Sequence, residues 1–489
     1  MSRKHIIALI VACALFMQTL DSTVLGTALP AIAVAFGESP VTLHLAMTSY
    51  LIALAVFMPL SGWVADRWGA RDVFRLAIIV FTLASIACGL APNAEALILA
   101  RVVQGLGGAM MVPVGRLVLL RSVPKHEYVD ALAWVTVPAL MGPVLGPTIG
   151  GLLTTYASWH WIFWINVPMG LIGLAMTTIF VDDIREDDVP PLDLRGFVLA
   201  GIGIAGVMFT LETLGDGLIP AGWTMALGAV GLVSAALYIR HARHITSPVI
   251  DLTLLRVHTF RASVAGGAVF RFGIGAIPFL LPLLLQAGFG YSAADAGLVT
   301  SAAAAGAIVM KALAGRILRL FGFRSVLIWN GVLSAAFMAA CALFTPTTPW
   351  WTMVLVLLVG GFFRSLQFTG VNAVAFADVE PADFSQATSF SSMMQQLSLS
   401  VGIGFGALML TLSQMWRGSD TLSYTDFPPA FIAVGLLTAA SSLFFVGLHR
   451  TAGDELAKRS APAPAGAMGG MAAQPPRDRA GKPREREDA

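Results

Sequence analysis

"GWVADRWGARD", Gly62 to Asp72, lies between two long apolar runs, and "GRILRLFGFRS", Gly315 to Ser325, repeats its spacing. Both read G-x6-G-x-R. A second pair agrees: "RVVQG" at Arg101–Gly105 and "RSLQF" at Arg364–Phe368 each set Arg and Gln three residues apart, one helical turn. The two offsets, 253 and 263 residues, are close to one another. The chain therefore reads as two related halves, and duplicated halves around a central pathway are a common build of secondary transporters.

The composition fits that reading. Of 489 residues 57% are hydrophobic and 12% charged, and the mean hydropathy is +0.79. A soluble chain carries about 25% charged residues, so this one lacks the polar surface to face water. Its apolar runs are about 20 residues long, enough to cross about 30 Å of hydrocarbon. Fourteen spans are expected, near 6–29, 45–65, 73–92, 95–119, 131–154, 161–181, 196–215, 221–240, 260–286, 294–314, 324–344, 350–374, 387–411 and 428–448. The expected fold is an all-α polytopic membrane protein of two six-helix bundles, 1–182 and 250–450. Between them, 183–249 holds an acidic linker and two inserted helices, and 451–489 is expected to be a disordered cytoplasmic tail.

Arg67, Arg71, Arg75, Arg121, Lys125, Arg185, Arg195, Arg240, Arg243, Arg256, Arg261, Arg316, Arg319 and Arg324 all fall on alternate connections. The other connections hold almost no Lys or Arg, with Arg417 the exception. The positive-inside rule then places both termini in the cytoplasm. "MSRKH" before "IIALIVACALFM" has the outline of a signal peptide, with "AIA" at 31–33 as a cleavage site. Asp21 interrupts that outline and the run continues to Pro30, so a retained first helix is expected. Cys13, Cys88 and Cys341 stand singly in apolar runs and suggest neither a disulfide framework nor a metal site.

Four further stretches complete the picture. "LDSTVLGTALP" (Leu20–Pro30) lies in the first span, "LARVVQGLGG" (Leu99–Gly108) in the fourth, "GPVLGPTIGG" (Gly142–Gly151) in the fifth, and "WHWIFWINVP" (Trp159–Pro168) at the start of the sixth. With the Gly62 loop, the first three make the chain resemble the major facilitator superfamily and, within it, the fourteen-span drug:proton antiporters. There are two departures. Gly26 stands where that family usually has Asn, and Leu320 replaces a charged residue in the second loop.

Asp21 is the sharpest individual signal. A charge in a span costs about 2.5–3.5 kcal/mol on insertion scales, so it needs a partner or a wet cavity. At about 1.5 Å per residue Asp21 stands about 22 Å up the first span, and Arg101 about 9 Å down the fourth from the other side. The two share a height and are expected to meet. Either a static ion pair or a site that gains and loses a proton would explain them; the resemblance implies Asp21 as proton or cation acceptor and Arg101 as its modulator.

Gln104, Glu212, Arg271, Arg364 and Gln367 are expected to line a substrate cavity, with Glu212 alternatively reaching the interface. Asp216, Asp295 and His44 fall at outer ends, where solvation suffices. By resemblance Gly62, Asp66, Arg67, Gly69 and Arg71 form a gating loop in which Asp66 locks one state, the glycines allowing the turn to pack closely. Gly142, Gly146 and Gly150 form a small-xxx-small stripe, with Pro143 and Pro147 beside it and Gly151 following. The resemblance implies that this face seals the interface between the halves. The Trp159–Pro168 cluster reads as an interfacial anchor.

No H-E-x-x-H and no nucleotide-binding G-x4-G-K-[ST] occurs, so neither an enzyme nor an ATP-driven pump is expected. The expected activity is proton-coupled export of lipophilic, often cationic, compounds by a monomer, with or without accessory efflux components. No cofactor but the coupling proton, no metal and no nucleic acid are expected, and small-molecule substrates and the lipid bilayer of the cell inner membrane are the partners. Two alternatives stay open: an exporter of one endogenous metabolite, and a proton-coupled uptake symporter.

Overall fold

The computed structural model describes residues 3–122, 128–182, 191–213, 220–245, 248–380, 383–418, 421–449 and 452–453. Among these there is no β-strand. The helices are α1 (Arg3–Phe36), α2 (Leu45–Phe57), α3 (Ser61–Trp68), α4 (Ala70–Gly89), α5 (Ala94–Arg121), α6 (Tyr128–Tyr156), α7 (Trp161–Trp164) and α8 (Asn166–Phe180). They continue as α9 (Leu194–Thr213), α10 (Ala221–Ala242), α11 (His258–Leu283), α12 (Ala293–Phe321), α13 (Phe323–Ala340), α14 (Trp350–Val374), α15 (Phe384–Arg417), α16 (Phe427–Ala440) and α17 (Leu443–Val446). Thirteen stretches among the described residues are long and apolar enough to cross a membrane.

The repeat seen in the sequence is repeated in the backbone. Gly69 joins α3 to α4 at φ 92°, and Gly322 joins α12 to α13 at φ 75°. Positive φ is open to glycine and strained for other residues, which is why both motifs carry Gly at their eighth position. The packing follows the same rule. The α1–α6, α4–α5, α2–α5 and α4–α8 contacts of the first group recur as α11–α15, α13–α14, α12–α14 and α13–α16 in the second. The two groups meet along α6–α12 and α2–α15, which the repeat makes the same contact seen twice.

At the first of these seams the backbones nearly touch. A Cβ on Gly151 would overlap the carbonyl oxygen of Ala293, and one on Gly297 would overlap that of Pro147. Ala294 N donates to Thr155 Oγ1 at 3.0 Å, and Gln286 Nε2 donates to Thr27 O at 2.9 Å. These contacts lie where α1, α6 and α11 finish and α12 begins, so the groups are closed at that end. Gly26 belongs to the same closure: its Cβ would overlap the Pro278 carbonyl oxygen of α11. An Asn there would not fit, which accounts for the departure at this position.

The α9–α10 pair lies outside. Only 17% of the α9 span and 22% of the α10 span is buried by protein, against 78% for α11. The pair packs on itself, and α9 packs against α2 and α15.

Candidate functional site

Asp21 and Arg101 meet. Arg101 Nη1 lies 2.5 Å from Asp21 Oδ2, and each residue is 1% exposed. Gln104 Nε2 and Asn166 Nδ2 each donate to Asp21 Oδ1 at 2.9 Å. Ser85 Oγ accepts from Gln104 at 2.8 Å and from Asn166 at 3.3 Å. Arg101 also donates from Nη1 to Gln104 Oε1 at 2.6 Å and from Nε to Ala46 O at 3.0 Å. Its guanidinium carbon stands 4.2 Å above the Tyr50 ring. The carboxylate is thus an acceptor for three donors, the pattern of an ionised acid with a cation at hand.

Five helices build this cluster: Asp21 comes from α1, Tyr50 from α2, Ser85 from α4, Arg101 and Gln104 from α5, and Asn166 from α8. The Asp21 carboxylate and the Arg101 guanidinium thus stand at a point where five helices meet. Asn166, Ser85 and Tyr50 were not among the expected site residues. Asn166 is the polar residue inside "WINVP", and its neighbours there divide. Trp161 is exposed as an anchor should be, but Phe163 is buried 6.0 Å from the Arg101 guanidinium and Trp164 packs against Gly89.

The second half is built differently. Gln367 does not hold Arg364; its Oε1 accepts from Asn330 Nδ2 at 3.0 Å and its Nε2 donates to Leu327 O at 2.9 Å. Arg364 instead lines a small cavity with Ile277, Phe337, Cys341 and Gly361. Arg271 donates from Nη2 to Asn372 Oδ1 at 2.6 Å and lies 5.5 Å from the Phe368 ring centre. So Gln104, Arg271 and Gln367 are buried among the helices of their own halves, and Arg364 lines a small cavity.

In the loop at Gly62, Arg71 Nε and Arg75 Nη1 both lie 3.3 Å from Asp72 Oδ1. Close packing does not explain Gly62, since nothing stands within 4 Å of a Cβ there; only Gly69 is required, by its φ. Gly69→Ala is expected to cost about 1–3 kcal/mol of backbone strain. Gly62→Ala should cost almost nothing. Melting curves of the two variants in detergent check this, and equal midpoints would sink it.

Arg417, the exception to the charge rule, is answered by a buried acid. It donates to Asp426 Oδ1 at 2.8 Å and Oδ2 at 2.7 Å. Asp426 also accepts from Ser423 N at 2.8 Å. Arg417→Ala would leave that carboxylate buried without its cation, and a loss of about 1–3 kcal/mol in thermal unfolding is expected.

The fifth-span glycines correct one expectation. Cβ atoms on Gly142, Gly146 and Gly150 would overlap Thr19, Thr23 and Thr27 of α1, in that order. The stripe is therefore packed inside the first group and not between the halves. Within that motif, Gly151, Pro147 and Thr148 approach α12.

His44 and Glu212 correct another. Neither is at the interface: both are buried and face each other. Asp295 is exposed and caps α12 with Ser292; Asp216, Lys125, Arg185 and the tail from 454 lie outside the described residues. Among the described residues no group of three His, Cys, Asp or Glu could hold a metal ion.

Comparison with known proteins gives one answer. A sequence model of the Major Facilitator Superfamily matches residues 11–254 and 264–480. The "Putative multidrug resistance protein MdtD" of Citrobacter koseri is 37% identical over 466 residues, covering 92% of this chain and 97% of its own. The protein of the same name from Escherichia fergusonii is 38% identical over 460 residues, with the same coverage. Among solved structures, a D-xylose-proton symporter superposes with TM-score 0.66 at 16% identity, covering 92% of this chain and 98% of that one. A bacterial homolog of the human lysosomal transporter Spinster does so with TM-score 0.63 at 18% identity, covering 94% and 99%. The chain belongs to the major facilitator superfamily and is a multi-pass membrane transporter, not an enzyme.

Proposed function

We propose that this transporter is a proton-coupled antiporter, exporting lipophilic and often cationic compounds across the inner membrane by alternating access. The reading includes fourteen spans, cytoplasmic termini, halves bounded at 182 and 250, and a monomer that needs no cofactor besides the proton. The observation that carries it is the Asp21 carboxylate, enclosed in apolar helices and held by Arg101, Gln104 and Asn166. A carboxylate so placed is costly to insert. The cost is repaid if the group titrates as part of a cycle.

A proton reaching Asp21 neutralises it and frees Arg101. Arg101 retains Ala46 O and the Tyr50 face, so the cation stays on α2 while α1 is released. Taken up from the outer side, that proton leaves α1 free to close on α11 and α6 on α12, and its release to the cytoplasm restores the Asp21–Arg101 pair. The likeness to multidrug resistance proteins supports the substrate class.

The test uses proteoliposomes of the full chain with ethidium as the lipophilic cation. An imposed proton gradient should drive ethidium against the direction of proton flow, and adding ethidium should move protons recorded by an entrapped pH dye. Ethidium moving with the protons would mean symport.

A further inference from the structure

Arg364 stands in α14 as Arg101 stands in α5, with Gln367 three residues on as Gln104 is. Among the described residues Arg364 makes no hydrogen bond and no ion pair, and its side chain opens on the small cavity. The helices packed around it offer no counterion. α11, α13, α14, α15 and α16 contain no Asp or Glu. The one acid of α12, Asp295, is engaged by Ser292 in the first turn. It stands eight residues before Ala303, the α12 residue at the cavity, or about 12 Å at 1.5 Å per residue.

The repeat shows what the second group lacks. The cavity is walled by Ile277 of α11, Ala303 of α12, Phe337, Met338 and Cys341 of α13, and Gly361 of α14. By their packing these helices are the counterparts of α1, α2, α4 and α5, which surround Arg101. The 253-residue offset of the two loops sets Met338 against Ser85 and Cys341 against Cys88. Where α1 brings the Asp21 carboxylate to its arginine, α11 brings Ile277, an apolar side chain. The second group therefore keeps the guanidinium and the apolar enclosure and has no acid to fill it.

A cation inside a span is costly unless something answers it. The guanidinium is a planar fork of donors that matches a carboxylate, and small-molecule sites are lined by apolar walls with a few polar anchors. We infer that the Arg364 cavity binds the carboxylate of a lipophilic monocarboxylic acid, whose apolar body lies against Ile277, Phe337 and Met338. One guanidinium balances one negative charge, so a dicarboxylate would carry a second, unanswered charge into the site. Chloride would neutralise the cation but leave the apolar walls without a partner. The inference adds lipophilic acids to the lipophilic cations proposed above. It rests on the cavity and does not require Asp21 to titrate.

Equilibrium binding of radiolabelled benzoate to the detergent-purified full chain tests this. No gradient is imposed, so a failure of proton-coupled export would leave the reading untouched. Unlabelled benzoate should displace the label at least tenfold more effectively than benzamide, its neutral analogue, or chloride. Arg364→Met should weaken benzoate binding at least tenfold and melt no lower than the wild type, since it removes a cation that nothing pairs. Ile277→Asp places a carboxylate in the cavity itself, as α1 does in the first group, and should also weaken binding at least tenfold. Absence of benzoate binding to the wild type, equal displacement by benzamide, or wild-type affinity in Arg364→Met would each overturn the site. Displacement by chloride at the same concentration as benzoate would assign the cavity to an inorganic ion and overturn the organic acid. Should Arg364→Met fail to fold, unchanged binding in Ile277→Asp overturns the inference equally.

Discussion

Asp21→Asn is expected to lower gradient-driven ethidium transport at least tenfold while the chain still folds. Asn keeps the size of the side chain and one acceptor for Gln104 or Asn166, but it cannot take up a proton. It also leaves Arg101 buried without its counterion. Breaking one partner of a buried pair costs about 3–5 kcal/mol, so a lower melting point is expected as well. Exchange of labelled against unlabelled ethidium with no gradient separates the two effects. It should persist in Asp21→Asn, because it needs alternation but no net proton movement. Normal gradient-driven transport in this variant would remove Asp21 from the coupling step. Loss of exchange as well as transport would make the residue structural.

The second large effect belongs to the α6–α12 seam. Gly151→Val and Gly297→Val each put methyl groups where a backbone carbonyl oxygen now lies. A backbone cannot swing aside as a side chain can, so the helices must separate. Either variant should lower the closed population at this end at least tenfold, equivalent to about 1.4 kcal/mol. Distances between spin labels near the end of α6 and the start of α12 would report it, with Gly315→Ala as control because nothing stands within 4 Å of that position. An unchanged distance distribution would show that the seam is not what keeps this end closed.

Much of this architecture was legible in the residues because membranes make errors expensive. Asp21 and Arg101 stood out through the cost of charge in hydrocarbon, and Gly69 with Gly322 through a repeated spacing. Asn166 and Ser85 did not, because a neutral polar side chain is tolerated in a helix and carries no comparable signal. His44 and Glu212 were misplaced for another reason. Depth along a span can be counted, but which neighbour covers a helix end is decided by packing, here by α9 folding back onto α2 and α15. The partner of the glycine stripe could have been found: Thr19, Thr23 and Thr27 recur every four residues in the first span, the same interval as Gly142, Gly146 and Gly150.

That matched interval has a mechanical consequence. Each threonine of α1 sits in the notch left by one glycine of α6, like teeth on a rack. Sliding one helix along the other by less than a full tooth would drive hydroxyls into backbone. The next allowed register is four residues away, about 6 Å at 1.5 Å per residue. Small axial slips are therefore forbidden to this pair, and α1 and α6 travel together as a rigid beam, turning without shearing.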